Sequence, residues 1–209
     1  MTHRLIFSVG LLLILTACEQ SMSLRVDTEI PTPVVSRLPV KMGVFYQDEL
    51  RNYVYEENSE DRPNWKIDSG SSHVALFEQI LPSMFEEINE VGGTTGSAMV
   101  DAVLAPSVAE MQFALPAETK SDFYEAWVKY NMELYNQDGS RIANWSVTGY
   151  GKSSTEFMKS RDKGLNAAVN QALRDAGAKF ALGFSRIADI SAWLEQTTAK
   201  STDDTDEHR

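Results

Sequence analysis

Few side chains in this 209-residue sequence could do chemistry, and most lack a partner at the spacing that chemistry needs. There are three histidines, His3, His73 and His208, and one cysteine, Cys18. A zinc site draws several ligands from Cys and His, and His73 has neither beside it, so no metal is expected. A serine nucleophile needs a base within reach. His73 is the one histidine away from the termini, and no Gly-x-Ser-x-Gly elbow surrounds a serine. The exposed first turn of a helix is the expected place for it. Gly151-Lys152-Ser153 has the ending of a phosphate-binding loop, but that loop requires a glycine five positions before Gly151, and Ser146 stands there. Carboxylate pairs such as Glu56-Glu57 and Glu86-Glu87 read as solvated faces of an acidic chain. The run 56–61 does not match the glycine-containing acidic loop that calcium uses. No catalytic set and no cofactor are expected.

Cys18 is different because of what precedes it. Met1-Thr2-His3-Arg4 is a short positive start, residues 5–15 are apolar apart from Ser8 and Gly10, and small residues follow. That is the layout of a secretory signal peptide. The apolar stretch is shorter than the ~20 residues that span a hydrocarbon core. Leu15-Thr16-Ala17-Cys18 resembles the lipobox of bacterial lipoproteins. The resemblance implies cleavage before Cys18, diacylglycerol on its thiol and an acyl chain, such as palmitate, on the new amine. The alternative is an incidental cysteine in an ordinary signal peptide. Glu19, where inner-membrane retention uses aspartate, implies sorting to the periplasmic face of the outer membrane.

The net charge is −11 at pH 7, and loss of the leader removes Arg4 and no acid. Such a chain is a poor match for nucleic acid, which needs clustered Lys and Arg, and gains little from anionic lipid. With one cysteine no internal disulfide forms, so the core must hold itself. The organisation expected is a signal peptide over 1–17, a lipidated N-terminus and tether over 18–38, one periplasmic domain over 39–196, and a disordered polar tail over 197–209.

Within the domain, residues 39–46 read as a strand with Val40, Met42 and Val44 on one face. Apolar residues at three- and four-residue steps predict a helix over about 72–91, kinked or split at Pro82. Residues 99–106 read as a buried strand and 108–115 as a second strand or bent extension. Over 123–135 Tyr124, Ala126, Val128, Tyr130, Met132 and Leu134 alternate with polar residues and Trp127. Asp138-Gly139 then marks a tight turn, and 141–149 returns as the hairpin partner. Trp127 and Trp145 are expected across that hairpin on its less apolar face. Helices are expected over about 159–180 and 185–196. The fold class is therefore α/β (α+β), a two-layer sandwich whose mostly antiparallel sheet, with the long hairpin over 123–149, carries the two main helices on one face.

This order of elements, with the lipobox, resembles small periplasmic lipoprotein domains related to the N-terminal domain of TolB, including the curli-secretion, Pel polysaccharide and penicillin-binding-protein activator lipoproteins. The resemblance implies a non-enzymatic protein-binding or accessory component of an envelope assembly or secretion machinery, with other envelope proteins as partners and homo-oligomers possible. A periplasmic glycan- or lipid-binding lipoprotein is the alternative. The long aperiodic stretch 47–70 holds Tyr53, Tyr55 and Trp65, residue types enriched at interface hot spots. They are read as partner-facing anchors, against the alternative that they fold back over the core.

Overall fold

A computed structural model of the chain describes residues 22–25, 30–58, 64–95, 99–156 and 160–206, with backbone alone at 22–25 and 198–206. The chain begins with β1 (Met22–Arg25), β2 (Leu38–Val44), the one-turn helix α1 (Asp48–Arg51), β3 (Val54–Glu57) and β4 (Trp65–Asp68). Helix α2 (Gly70–Met84) runs directly into β5 (Phe85–Glu90), followed by β6 (Ala102–Ala114) and a second short helix, α3 (Pro116–Thr119). The long strands β7 (Phe123–Asn136) and β8 (Arg141–Ser154) precede α4 (Arg161–Gly183), a 3₁₀ turn (Phe184–Arg186) and α5 (Ala188–Asp206).

Five strands form the main sheet in the order β5-β2-β6-β7-β8, and three form a small sheet in the order β1-β4-β3. The main sheet is mixed. Strand β2 is parallel to β5 and β6, whereas β6, β7 and β8 make two much longer antiparallel ladders. Alternation along β7 puts Tyr124, Ala126, Val128, Tyr130, Met132 and Leu134 into the core. Helices α2 and α4 cover that face. Phe77 of α2 meets Tyr130 edge-on at 5.5 Å and Phe180 of α4 at 5.9 Å. The two-layer α/β sandwich is thus formed, and among the described residues neither α2 nor α4 covers the other sheet face.

The hairpin turns at Gly139, whose φ of +82° suits glycine. The Asp138 carboxylate accepts the Ser140 amide and hydroxyl, an Asx-type closure. Strand β8 continues past 149 to Ser154 because α4 lies directly on it. A Cβ at Gly149 or Gly151 would collide with the carbonyl oxygens of Ala172 or Ala168. The backbone of this edge strand is capped by the same helix. Asp175 accepts the Tyr150 amide (2.8 Å), Gln171 accepts the Lys152 amide (3.1 Å), and Lys179 donates to the Thr148 carbonyl (3.0 Å).

The structure corrects several expectations. The helix over 72–91 ends at Met84, two residues after Pro82, and its second part is β5. Met84, Phe85, Ile88 and Val91 keep helical spacing, but Phe85 turns extended (φ −125°, ψ 154°) and pairing with β2 takes over. Of the two readings of 108–115 the extension holds: β6 is a single strand over Ala102–Ala114, with a register irregularity between Val108 and Glu110. Residues read as tether are docked from Ile30 onward, since Gln79 donates to Thr32 (2.6 Å), Arg37 donates to the Pro82 carbonyl (2.6 Å), and Ile30 and Val35 pack on the core. Met22–Arg25, also within that stretch, pairs with β4. Helix α5 runs to Asp206, into the stretch read as disordered tail, where no Gly or Pro stops it. Trp145 is on the covered face, stacked on Phe180 at 6.4 Å, so it does not sit with Trp127.

Candidate functional site

Cys18 lies outside the described residues. Among those described, no helix is long and apolar enough to cross a membrane, and no group of three or more His, Cys, Asp or Glu is placed to hold a metal.

The three aromatic residues picked out from 47–70 pack on the core, Tyr55 and Trp65 around Phe113 and Tyr53 against His73. In β4, Trp65 and Ile67 point to the core and Lys66 and Asp68 to solvent. Trp65 is 2 % exposed and meets Phe113 edge-on at 4.9 Å. Its indole nitrogen is buried with no hydrogen-bond partner among the described residues. Tyr55, half-buried, meets the same Phe113 at 5.6 Å and donates to Glu57 (3.1 Å). Tyr53, also half-buried, packs edge-on against His73 at 5.3 Å. Trp65 is therefore core, not a partner-facing anchor, because the period-two alternation of Trp65-Lys66-Ile67-Asp68 turns its ring under the small sheet.

His73 is likewise interior, at 0 % exposure rather than on an exposed first turn. Its Nε2 lies 3.1 Å from the Ser69 hydroxyl and its Nδ1 2.6 Å from the Tyr130 hydroxyl. Burial lowers its pKa to about 3, so the ring is neutral at physiological pH. A serine beside a histidine whose other nitrogen is held by a third group has the connectivity of an acyl-transfer triad. Here Ser69 has 0 % exposure and faces the Met111 sulfur. A nucleophile must reach substrate, and this one is sealed; the arrangement satisfies buried polar groups instead.

Gly151-Lys152-Ser153 is part of β8 rather than a loop. Gly151 admits α4, the Lys152 ammonium lies 4.8 Å from the centre of the Phe123 ring, and Ser153 donates to the Gly164 carbonyl (2.6 Å).

The sheet face away from α2 and α4 holds a different grouping. Trp127 of β7 and Tyr150 of β8 are register partners, with ring centroids 5.2 Å apart. Tyr150 donates to Glu125 (2.5 Å), and this bond, more than burial, raises the pKa of the phenol. Further along, Glu133 accepts Tyr135 (2.9 Å), Arg141 (3.1 Å) and Asn144 (3.2 Å). Burial pulls the Glu133 pKa upward, but these bonds outweigh it and hold the carboxyl below its ordinary range. The result is a surface of aromatic rings, carboxylates and amides held by mutual contacts. Sequence alternation placed Trp127 on this face; Tyr150 was missed because the partner strand was expected to stop one residue earlier.

Two concavities lie elsewhere. One of about 310 Å³ is bordered by Val34, Leu38, Met84, Leu182 and Phe184, with Arg186 at its rim. The other, of about 410 Å³, lies beside the hairpin turn and α5.

Taken as a class, this is a mixed α/β sandwich with one sheet face that, among the described residues, neither α2 nor α4 covers. No protein-family model matches the chain, and no curated protein matches it. Among solved structures it is similar to a Xanthomonas campestris protein of family DUF330, at 13% identity and TM-score 0.48, covering 86% of this chain and 99% of that one. It is also similar to a Helicobacter pylori protein named as a homologue of neuraminyllactose-binding hemagglutinin, at 12% identity and TM-score 0.46, covering 84% and 100%. A Caulobacter crescentus protein named as a lipoprotein matches at 16% identity and TM-score 0.31, covering 48% and 72%. With TM-scores under 0.5, these likenesses carry no functional weight for this chain.

Proposed function

We propose that this protein is a lipoprotein, acylated at Cys18 and held at the periplasmic face of the outer membrane, whose domain is a non-enzymatic docking module for another envelope protein. The anchor reading rests on Leu15-Thr16-Ala17-Cys18 at the end of the apolar leader. The observation that carries the docking reading is the Trp127–Tyr150 pair on the sheet face away from the helices. Contact between the tilted rings there keeps two amphipathic side chains ordered before a partner arrives, which lowers the entropic cost of binding. Trp and Tyr are the residue types that dominate interface energetics. The partner expected is a folded envelope protein with a complementary aromatic patch and basic groups to meet Glu125 and Glu133.

Two measurements test this reading. A clickable fatty acid should label the wild-type protein and not the Cys18→Ser variant; absence of label at Cys18 removes the anchor. Replacing Trp127 and Tyr150 together with Ala should weaken partner capture from solubilised membranes roughly 30-fold, for a hot-spot loss of about 2 kcal/mol. The melting temperature should change little. Undiminished capture by a folded double variant removes the docking surface.

A further inference from the structure

The cavity of about 410 Å³ at the hairpin turn has a lining that protein docking does not use. Asp101, Asn136, Gln137, Asp138, Trp193 and Gln196 surround it. Its size is within the ~300–1,000 Å³ of small-ligand sites. Four of these side chains each commit one polar atom to the framework. Asp101 Oδ2 accepts the Lys41 amide (2.8 Å), and Gln137 Nε2 donates to the Val100 carbonyl (2.7 Å). Asn136 Nδ2 donates to the Ser140 hydroxyl (3.0 Å), and Asp138 Oδ1 accepts from Ser140. Held in this way, three of them keep an oxygen with no hydrogen bond among the described residues: Asp101 Oδ1, Asn136 Oδ1 and Gln137 Oε1. Trp193 lines the same space at 9 % exposure, and its indole N–H has no hydrogen-bond partner among the described residues.

The lining thus combines fixed oxygen acceptors, an indole and the Gln196 amide, with no Lys, Arg or His among its residues. Two carboxylates without a lining cation repel an anion. A simple cation would satisfy the oxygens but leave the indole and amide N–H groups unanswered. A ligand bearing several uncharged hydroxyls answers both sets. Its O–H groups donate to carboxylates in charge-assisted bonds, and its oxygens accept from Trp193 and Gln196. We infer that this cavity binds a neutral sugar residue, free or within a glycan chain. The site lies near the turn, ~30 Å along β7 from Trp127 at the usual strand rise, so the two sites can be tested apart.

The test is NMR and calorimetric titration of the detergent-solubilised full chain. Methyl glucoside and maltotriose probe free sugars, triacetylchitotriose probes an amino-sugar chain, and glucuronate and spermidine are the anionic and cationic controls. At least one neutral saccharide should shift the Trp193 indole N–H resonance (assigned with Trp193→Phe) in a saturable way, whereas the charged controls should not. Asp101→Asn, which keeps an acceptor for the Lys41 amide, combined with Gln196→Ala should weaken binding at least tenfold without lowering the melting temperature. The Trp127 and Tyr150 double variant should bind the saccharide normally, whatever becomes of protein docking. The inference is overturned if no neutral saccharide shifts the resonance at tens of millimolar. It is equally overturned if spermidine alone does so, or if the Asp101 and Gln196 variant binds as well as wild type.

Discussion

His73 shows how one interior ring ties stability to pH. Its nitrogens face the Ser69 and Tyr130 hydroxyls, Tyr53 closes over it, and the site holds no formal charge. Protonation would strand a cation in the core. The folded-state pKa of about 3 lies below the ordinary 6.5, so the unfolded chain binds the extra proton between those values. Stability contributed by the neutral ring is therefore complete above about pH 6.5 and is lost as pH falls toward 3. At ~1.4 kcal/mol per pH unit the loss by pH 5 is roughly 2 kcal/mol. His73→Gln should be less stable at neutral pH but should lack this part of the acid slope in denaturant titrations at pH 7 and pH 5. Equal slopes would contradict the neutral buried ring. Trp65 gives a second residue-scale expectation. Its indole nitrogen has no partner among the described residues, so Trp65→Phe should cost no more than ~1 kcal/mol, whereas Trp65→Ala should cost ~3–5 kcal/mol. A large loss in Trp65→Phe would mean the N–H is bonded. Neither environment is legible from the sequence, because Tyr130 stands 57 positions from His73 and Phe113 is set beside Trp65 only by the main sheet.

At the scale of elements, the long hairpin is where pattern and structure agree. Tyr124 to Leu134 alternate without interruption, and Asp138-Gly139 supplies the turn, so local rules and burial point the same way. Agreement fails where one apolar spacing suits two backbones. Phe85, Ile88 and Val91 continue the helical period of α2, and pairing with β2 makes Phe85–Glu90 a strand. Glycine was the other obscured signal. Gly149 and Gly151 look like the end of a strand but mark the line along which α4 presses on β8. Gly151→Ala should therefore displace the helix and cost at least ~2 kcal/mol, as overpacking does. It should also loosen the Asp175 and Gln171 caps on the Tyr150 and Lys152 amides, seen as faster hydrogen exchange at those two positions. An unchanged denaturation midpoint would show that the helix can retreat freely.

At the scale of the whole molecule, the helices lie on one side of the sheet and the Trp127–Tyr150 surface on the other. The edge at β8 is closed to strand addition by side chains of α4. The opposite edge strand, β5, carries Glu86, Glu87 and Glu90, a charged edge of the kind that discourages pairing. Strand addition is thereby disfavoured at both edges of the main sheet. The expectation of a leader and of acylation at Cys18 rests on sequence alone, since a signal peptide is a linear pattern. The surface at Trp127 and Tyr150 was not legible there, since it exists only when two strands come into register. The central claim is that this face meets an envelope protein while the helical layer does not. Site-specific photo-crosslinking in cells expressing the protein tests it most directly, with the probe at Ser146 on the open face or at Arg174 on the exposed side of α4. The account predicts a discrete adduct to one envelope protein from Ser146 and none from Arg174. An adduct from Arg174 alone, or from neither position in a correctly localised protein, would contradict it.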